Sequence, residues 1–234
     1  MSKPFLDESS LEKNVCDYGS SSYWDMFHSE TSSLRPQGSL SDNEWFVNYV
    51  AIKPLIEENT SKENKNDCKV LHVGCGLSSI ANCLALDGYD NIENIDFSPV
   101  AIKKMKELHP DHSWRVMDCT RLNFDDNAFD CAIDKAVLDS ICCSSRKRTW
   151  DYCHEVFRVL KEGGKWIIVS QAPPNERLEF FFNKDNEFGP IIAFDYTVTL
   201  TYDHLNEKSR LQEEDTVDGY FYVYVCTKNT HKLK

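Results

Sequence analysis

No run in the 234 residues approaches the ~18 uncharged apolar residues that a membrane span requires. The opening Met1-Ser2-Lys3-Pro4-Phe5-Leu6-Asp7-Glu8 also lacks the apolar stretch of a secretory signal. Ten cysteines are present, but no two have C-x-x-C spacing, which removes the commonest zinc and redox signatures. Cys142 and Cys143 are adjacent, a poor geometry for joint ligation, and His109 and His112 flank Pro110 with no cysteine nearby. No metal site is expected. Cysteines in core-like segments, such as Cys83, Cys131 and Cys226, read as reduced thiols, so a cytoplasmic chain with no membrane partner is expected. Basic residues are in short supply: 26 Lys and Arg face 38 Asp and Glu, a net charge of −12. Phosphate neutralisation needs clustered cations, so nucleic-acid binding is not expected. A basic partner is favoured electrostatically.

What remains is enough for a sizeable core, at 41% hydrophobic and 27% charged residues. No internal repeat or long low-complexity tract is visible. Residues 1–43 are Ser-rich and irregular around the aromatic cluster Tyr23-Trp24-Asp25-Met26-Phe27-His28. From Asn43 to Glu58, apolar residues recur at helical spacing, with Asp42 as cap, before a polar loop from Glu57 to Asp67.

The next hundred residues alternate in type. Short apolar strands are expected at Val70–Val73, Ile92–Ile95, Trp114–Met117, Phe129–Ile133 and Trp166–Val169. Helices are expected at Ser78–Leu86, Pro99–Leu108 with Ser98 as cap, and Ser145–Leu160 ending before Gly163-Gly164. Strands separated by helices imply parallel crossover units, hence a doubly wound α/β sheet with helices on both faces. The tail differs: Glu176–Phe182 reads as a short helix, and Phe194–Tyr202 and Gly219–Thr227 alternate as an antiparallel pair. The acidic Glu213-Glu214-Asp215 between them reads as an exposed loop. A mostly parallel, seven-stranded sheet finished by that pair fits one domain.

Open α/β sheets bind ligands outside the carboxyl ends of their strands. The informative residues should therefore follow each strand, and they do. After the first comes Val73-Gly74-Cys75-Gly76, whose glycines permit a tight turn and close backbone approach. After the second comes Asp96, a carboxylate placed to accept from both ribose hydroxyls. Asp118-Cys119 follows the third, where a carboxylate can accept from an adenine amine, and Asp134-Lys135 follows the fourth. Four successive strand ends carry suitable groups.

The nucleoside is narrowed by elimination. A dinucleotide fingerprint G-x-G-x-x-G fails at Ser79, and no G-x-x-x-x-G-K-[ST] loop exists. No basic residue lies near the glycine turn and the strand ends are acidic, so pyrophosphate would be repelled. S-adenosylmethionine fits better: it has a ribose and an adenine, carries a sulfonium and an ammonium, and has no phosphate. Its carboxylate can use helix-terminal amides or Lys135.

These residues resemble the class I S-adenosylmethionine-dependent methyltransferases, and within them the elongation factor 1-alpha lysine and N-terminal methyltransferase group. The resemblance is carried by Tyr23-Trp24-Asp25, Glu44-Trp45-Phe46, Val73-Gly74-Cys75-Gly76, Ile95-Asp96-Phe97-Ser98, Asp134-Lys135-Ala136-Val137-Leu138-Asp139 and the closing Tyr220–Cys226. It spans about residues 20 to 228 and implies a Rossmann-like methyltransferase domain over 1–234. Within it, 1–43 is an irregular lid, 44–66 a helix and linker, 67–172 the cofactor-binding core, and 173–228 the substrate side. Cofactor contacts are implied for Trp24, His28, Trp45, Gly74, Gly76, Asp96, Phe97, Asp118, Cys119 and Lys135. The sequence departs from the group where His28 stands in place of a tyrosine and Ala136-Val137 in place of Gly-Thr.

Methyl transfer is an in-line displacement, for which an enzyme mainly supplies proximity and alignment. A lysine acceptor, with an ordinary pKa of ~10.4, must first lose its proton. Desolvation and the adjacent sulfonium would lower that value, so no dedicated base is required. No catalytic residue is assigned beyond Asp139, a candidate to orient the amine. The expected activity is methylation of a lysine or N-terminal amine on a basic protein such as an elongation factor, by a monomer. Two alternatives stand beside it: a small-molecule methyltransferase on the same fold, and a cofactor-binding but inactive partner subunit. The absence of N-P-P-[YFW] after the fourth strand speaks against adenine-N6 and glutamine-amide chemistry.

Overall fold

The computed structural model describes residues 18–30, 44–60, 65–183, 192–202 and 220–229. The acidic Glu213-Glu214-Asp215 and most of 1–43 lie outside the described residues. Five parallel strands form the centre of the sheet: β1 (Val70–Val73), β2 (Ile92–Asp96), β3 (Ser113–Val116), β4 (Phe129–Lys135) and β5 (Leu160–Ser170). They are followed in sequence by β6 (Phe182–Asn183), β7 (Ile192–Tyr202) and β8 (Tyr220–Lys228). The spatial order is β3-β2-β1-β4-β5-β8-β7-β6. β8 runs antiparallel between β5 and β7, so the last long strand inserts into the sheet. The expected sheet of seven main strands is present, and the two-residue β6 extends its edge beyond β7.

All four residues of β1 are buried, as expected of a central parallel strand covered on both faces. Alternation sends neighbouring side chains to opposite layers. Leu71, Val73, Trp166 and Ile168 pack on one face with Tyr152, Val156 and Phe157 of α6 (Arg146–Val159). Val70, Ile133, Ile167 and Val169 pack on the other with Ile52 and Ile56 of α2 (Tyr49–Asn59) and Ile80 and Leu84 of α3 (Ile80–Leu86). Each such fully buried aliphatic or aromatic side chain stabilises the fold by about 1.5–3 kcal/mol.

Local chemistry sets the helix boundaries. Ser98 caps α4 (Pro99–Leu108), its hydroxyl accepting from Ala101 N, with Pro99 at the first turn. Ser145 caps α6 in the same way through Arg148 N. The helix expected from Asn43 instead starts at Tyr49. Asn48 is its cap, and Phe46 at φ +65° is incompatible with a helix there. Within the segment expected to be irregular, α1 (Ser21–Glu30) is helical. Its Trp24, Phe27 and His28 meet at the i, i+3 and i, i+4 spacings, so ring contacts supply what weak propensity does not.

Three further departures have similarly local causes. A six-residue helix, α5 (Val137–Cys142), was not legible in the sequence. Buried Asp134 starts it by accepting from Val137 N and Leu138 N. Between β3 and β4, where no helix was expected, none forms, and Thr120 and Arg158 tie residues 118–126 into turns. β5 begins at Leu160 and passes through Gly163-Gly164 at an irregularity in the β4 register. Behind it come α7 (Pro174–Arg177) and a 3₁₀ turn at Leu178–Phe181, where one short helix was expected. No helix among the described residues is long and apolar enough to cross a membrane.

Candidate active site

The carboxyl ends of β1 to β4 open onto a cavity of about 320 Å³, and all ten residues singled out above as cofactor contacts line it. Its floor is the turn after β1. Gly74 and Gly76 take φ +54° and +47°, in the left-handed region that glycine enters at no steric cost. At Gly74 a Cβ would also lie 2.2 Å from Val137 Cγ2, so two separate constraints demand glycine there. Gly76 N–H donates to Asp96 Oδ2 and Ser98 N–H to Oδ1, each at 2.8 Å. These bonds aim the Asp96 carboxylate at the cavity. Burial nevertheless pushes its pKa up to about 6, the Ser98 and Gly76 amides opposing and the charge of Asp25 adding.

At the next strand end, Asp118 Oδ1 accepts from the amide and hydroxyl of Thr120, each at 2.9 Å. Arg148 Nη2 reaches both carboxylate oxygens, at 3.3 and 3.0 Å. Burial raises the Asp118 pKa, but the Thr120 and Arg148 bonds outweigh it and hold the carboxyl below its ordinary value. The neighbouring Cys119 thiol is pushed well up by burial and adjacent carboxylates, so it stays a neutral wall.

A cluster of rings roofs the cavity. Trp24 meets Phe27 at 5.5 Å and Trp45 at 5.6 Å between centroids, in edge-to-face geometry, and Trp24 Nε1 donates to Tyr18 O. Phe46 stacks on Phe221 of β8 at 4.8 Å, fixing the other end of the Glu44–Phe46 segment. α1 is tied to the β2–α4 turn by Ser98 Oγ donating to Asp25 Oδ1 at 2.5 Å and by Lys104 Nζ donating to His28 O. His28 is held neutral, its pKa down at about 4, by burial and by the Lys104 charge against the opposing Asp25.

Lys135 does not stand alone at the end of β4. Its ammonium donates to Glu44 Oε2 at 2.6 Å and to Trp45 O at 2.9 Å, and both side chains of the ion pair are almost wholly buried. Glu44 also accepts from the Ser79 amide and hydroxyl, each at 2.6 Å, and from the Ser78 hydroxyl. Burial raises the Glu44 pKa, but the Lys135 charge and these bonds prevail and hold it below its ordinary value. Glu44, Arg148 and His72 line the cavity without having been singled out. Glu44 lay within a quoted motif, whereas Arg148 carries no sequence signal for a partner thirty residues away.

Asp139 is not brought to the cavity. Its Oδ1 accepts from Ser170 Oγ at 2.7 Å and Arg177 Nη2 at 2.5 Å, and its Oδ2 accepts from Gln171 N at 3.2 Å. It braces the β5 end and is not among the residues that line the cavity.

A methyltransferase domain family matches residues 71–168, the span from β1 through β5 that builds the cavity floor. Over that span the chain resembles the class I S-adenosylmethionine-dependent methyltransferases. It is similar to the mouse eEF1A lysine and N-terminal methyltransferase, 32% identical over 170 residues that cover 69% of this chain and 23% of that protein. The chain thus spans under a quarter of that relative's length. It is also similar to mouse EEF1A lysine methyltransferase 4, 28% identical over 183 residues, 73% of this chain and 68% of the relative. Among solved structures, the N-methyltransferase NodS from Bradyrhizobium japonicum in complex with S-adenosyl-L-homocysteine superposes with a TM-score of 0.58 at 13% identity, over 88% of this chain and 98% of that one.

The residues present fit S-adenosylmethionine. Asp96 and Asp118 supply acceptors, and the two cations lining the cavity, Lys135 and Arg148, are each already paired with a carboxylate. A pyrophosphate would find no uncompensated cation in that lining, whereas a sulfonium meets acidic and aromatic walls. The match to a methyltransferase domain and this chemistry support S-adenosylmethionine as the cofactor.

Proposed function

We propose that the protein methylates an amine, a lysine side chain or an N-terminal amine, on a basic protein of the translation elongation factor class. The observation that carries this reading is the similarity to the elongation-factor methyltransferases over 170 to 183 residues, which runs well beyond the 71–168 domain match. The net charge of −12 supports a basic protein as substrate, through favourable association. A cytoplasmic location accords with such a partner.

When bound, S-adenosylmethionine supplies an electrophilic methyl whose carbon–sulfur bond breaks, leaving its electron pair on sulfur, as a carbon–nitrogen bond forms to the acceptor. The chain's residues act around that event. Asp96 accepts from the ribose, and Asp118, kept ionised by Thr120 and Arg148, accepts from the adenine amine. Trp24, Phe27 and Trp45 exclude water. Val137, Ser140 and Ile141 of α5 line the cavity beyond β4 and supply no carboxylate. Among the described residues no base is placed there, so the acceptor amine would give its proton to solvent water before attack, its pKa lowered by desolvation and by the neighbouring sulfonium.

The test uses purified protein, cofactor labelled in the methyl group and an extract of cells lacking the enzyme. Label is expected on the amine of a basic polypeptide identified by mass spectrometry. Label on a metabolite alone, or none on any polypeptide, overturns the assignment.

A further inference from the structure

Asp134, at the end of β4, is a fully buried carboxylate that the reading above leaves without a counter-charge. Tyr152 of α6 donates to its Oδ2 at 2.8 Å, Val137 N to its Oδ1 at 2.8 Å, and Leu138 N to Oδ2 at 3.1 Å. Among the described residues, these neutral groups donate to it and no cation does. The cations around this end of the sheet are committed elsewhere: Lys135 to Glu44, Arg148 to Asp118 and Arg177 to Asp139. The other ionisable groups packed about Asp134 are Asp139 and Cys142 of α5, Cys119 after β3, and Tyr152 and Cys153 of α6. None of these can become a cation. An ionised carboxylate is costly in such surroundings. Burial accordingly pushes its pKa up to about 7, the bonds from Tyr152, Val137 and Leu138 opposing and the charge of Asp139 adding. Asp134 does not itself line the cavity. It lies one residue behind the wall: Val137, whose amide it holds, faces the cavity together with Lys135, Ala136 and Cys119. Charge acts through such a low-dielectric wall where a hydrogen bond cannot reach.

We propose that Asp134 is a specificity-determining residue that distinguishes the sulfonium of S-adenosylmethionine from the neutral thioether of S-adenosylhomocysteine, acting through the field of its carboxylate and not through a bond. A sulfonium in the cavity is the counter-charge that the carboxylate lacks. Its arrival favours the ionised form, and the carboxyl proton leaves to solvent. Methyl transfer then removes the positive charge, because the electron pair of the broken carbon–sulfur bond stays on sulfur, and Asp134 takes a proton back from water. The cofactor is therefore held more tightly than its product, by a margin that grows as pH rises and the carboxylate ionises. The inference rests on the cofactor reading above.

The experiment is calorimetric titration of the full chain with S-adenosylmethionine and S-adenosylhomocysteine from about pH 5.5 to 7, where the α-amine of either ligand stays largely protonated. Both ligands carry the same ribose, so any titration of Asp96 cancels from the ratio of their affinities. In the unaltered protein that ratio should rise about fivefold in favour of S-adenosylmethionine across this range. Near pH 6.5, S-adenosylmethionine should release about half a proton more than its product does. Tyr152→Phe removes a bond to the ionised carboxylate, so the rise should move to higher pH, and Asp134→Asn should make the ratio independent of pH. A ratio constant within about twofold in the unaltered protein overturns the proposal, and that result needs no variant to fold. A rise that survives Asp134→Asn, or that keeps its position in Tyr152→Phe, overturns it as well. If the unaltered protein binds neither ligand at any pH, the cofactor reading itself fails.

Discussion

Affinity for S-adenosylhomocysteine should fall with acidification because of one carboxylate. Burial lifts Asp96 from an ordinary 3.8 to about 6. In the ligand-free protein this group adds stability that is complete below the unfolded value and is lost as pH rises through about 6. A ribose reverses the preference. Its hydroxyls donate, so they favour the ionised carboxylate, and binding must expel the proton wherever Asp96 still holds it. With a folded value of about 6, about nine-tenths of the protein is ionised one unit above it and about one-tenth one unit below, so affinity should drop about tenfold between pH 7 and 5, or ~1.4 kcal/mol. The other titrating groups of the cavity stay out of this window. His28 and His72 lie down at about 4, and Asp118 and Glu44 are held below their ordinary values. Asp134, pushed by burial to about 7, is fully buried and does not line the cavity.

The assay is calorimetric titration with S-adenosylhomocysteine between pH 5 and 7.5, in two buffers of different ionisation enthalpy. Near pH 5.5, more than half a proton should be released per ligand bound, and almost none at pH 7.5. Asp96→Asn should bind more weakly at pH 7 and lose the dependence. Affinity that is flat from pH 5 to 7, or proton uptake on binding, would refute the assignment of Asp96 as a ribose acceptor.

Other perturbations test neighbouring elements. Gly74→Ala places a Cβ 2.2 Å from Val137 Cγ2 on a backbone at φ +54°, and should cost about 2–3 kcal/mol in denaturant melts; adding Val137→Ala should recover the steric part only, and additive losses would contradict the contact. Ala136 at φ +76° holds a non-glycine residue in left-handed backbone, so Ala136→Gly should stabilise by about 1 kcal/mol and raise Tm by about 2–4 °C; an unchanged or lower Tm would show that no strain is stored there. Asp139→Asn strips the charge partner from Arg177, which is only 7% exposed, and should cost about 3 kcal/mol of stability while S-adenosylhomocysteine affinity stays within about twofold. A selective loss of affinity would return Asp139 to the site.

The parallel core was legible because hydrophobic alternation and glycine or proline punctuation mark its strands directly. β1 and α4 match their expected ranges residue for residue. Strand ends were legible for the same reason, since ligands gather where parallel strands stop. What escaped depends on contacts distant in sequence. α1 has little amphipathic pattern and is held by ring contacts and by bonds to Ser98 and Lys104. α5 is too short for a periodic signal and relies on Asp134 and on a left-handed residue at Ala136. Lys135 was read as a cofactor contact open to the ligand's carboxylate, because the sequence does not reveal that Glu44, 91 positions earlier, closes on it.

The same long-range pairing explains how an acidic protein assembles a site for a cationic cofactor without leaving a field that would draw in phosphates. Each cation of the cavity wall, Lys135 and Arg148, arrives on a different element from its carboxylate, so neither pair exists until the chain has folded. Lys135 closes on a segment that precedes β1, and Arg148, on α6, closes on the end of β3. Selectivity among nucleosides is therefore a tertiary property: the strand ends supply the acceptors, and packing from outside the sheet cancels the positive charges. The departures at Ala136 and Val137 belong to the same logic. Val137 fills the space over Gly74, so the glycine is demanded by its neighbour's methyl as well as by any ligand. A glycine turn of this kind marks close packing first, and becomes evidence of a cofactor only through the carboxylates around it.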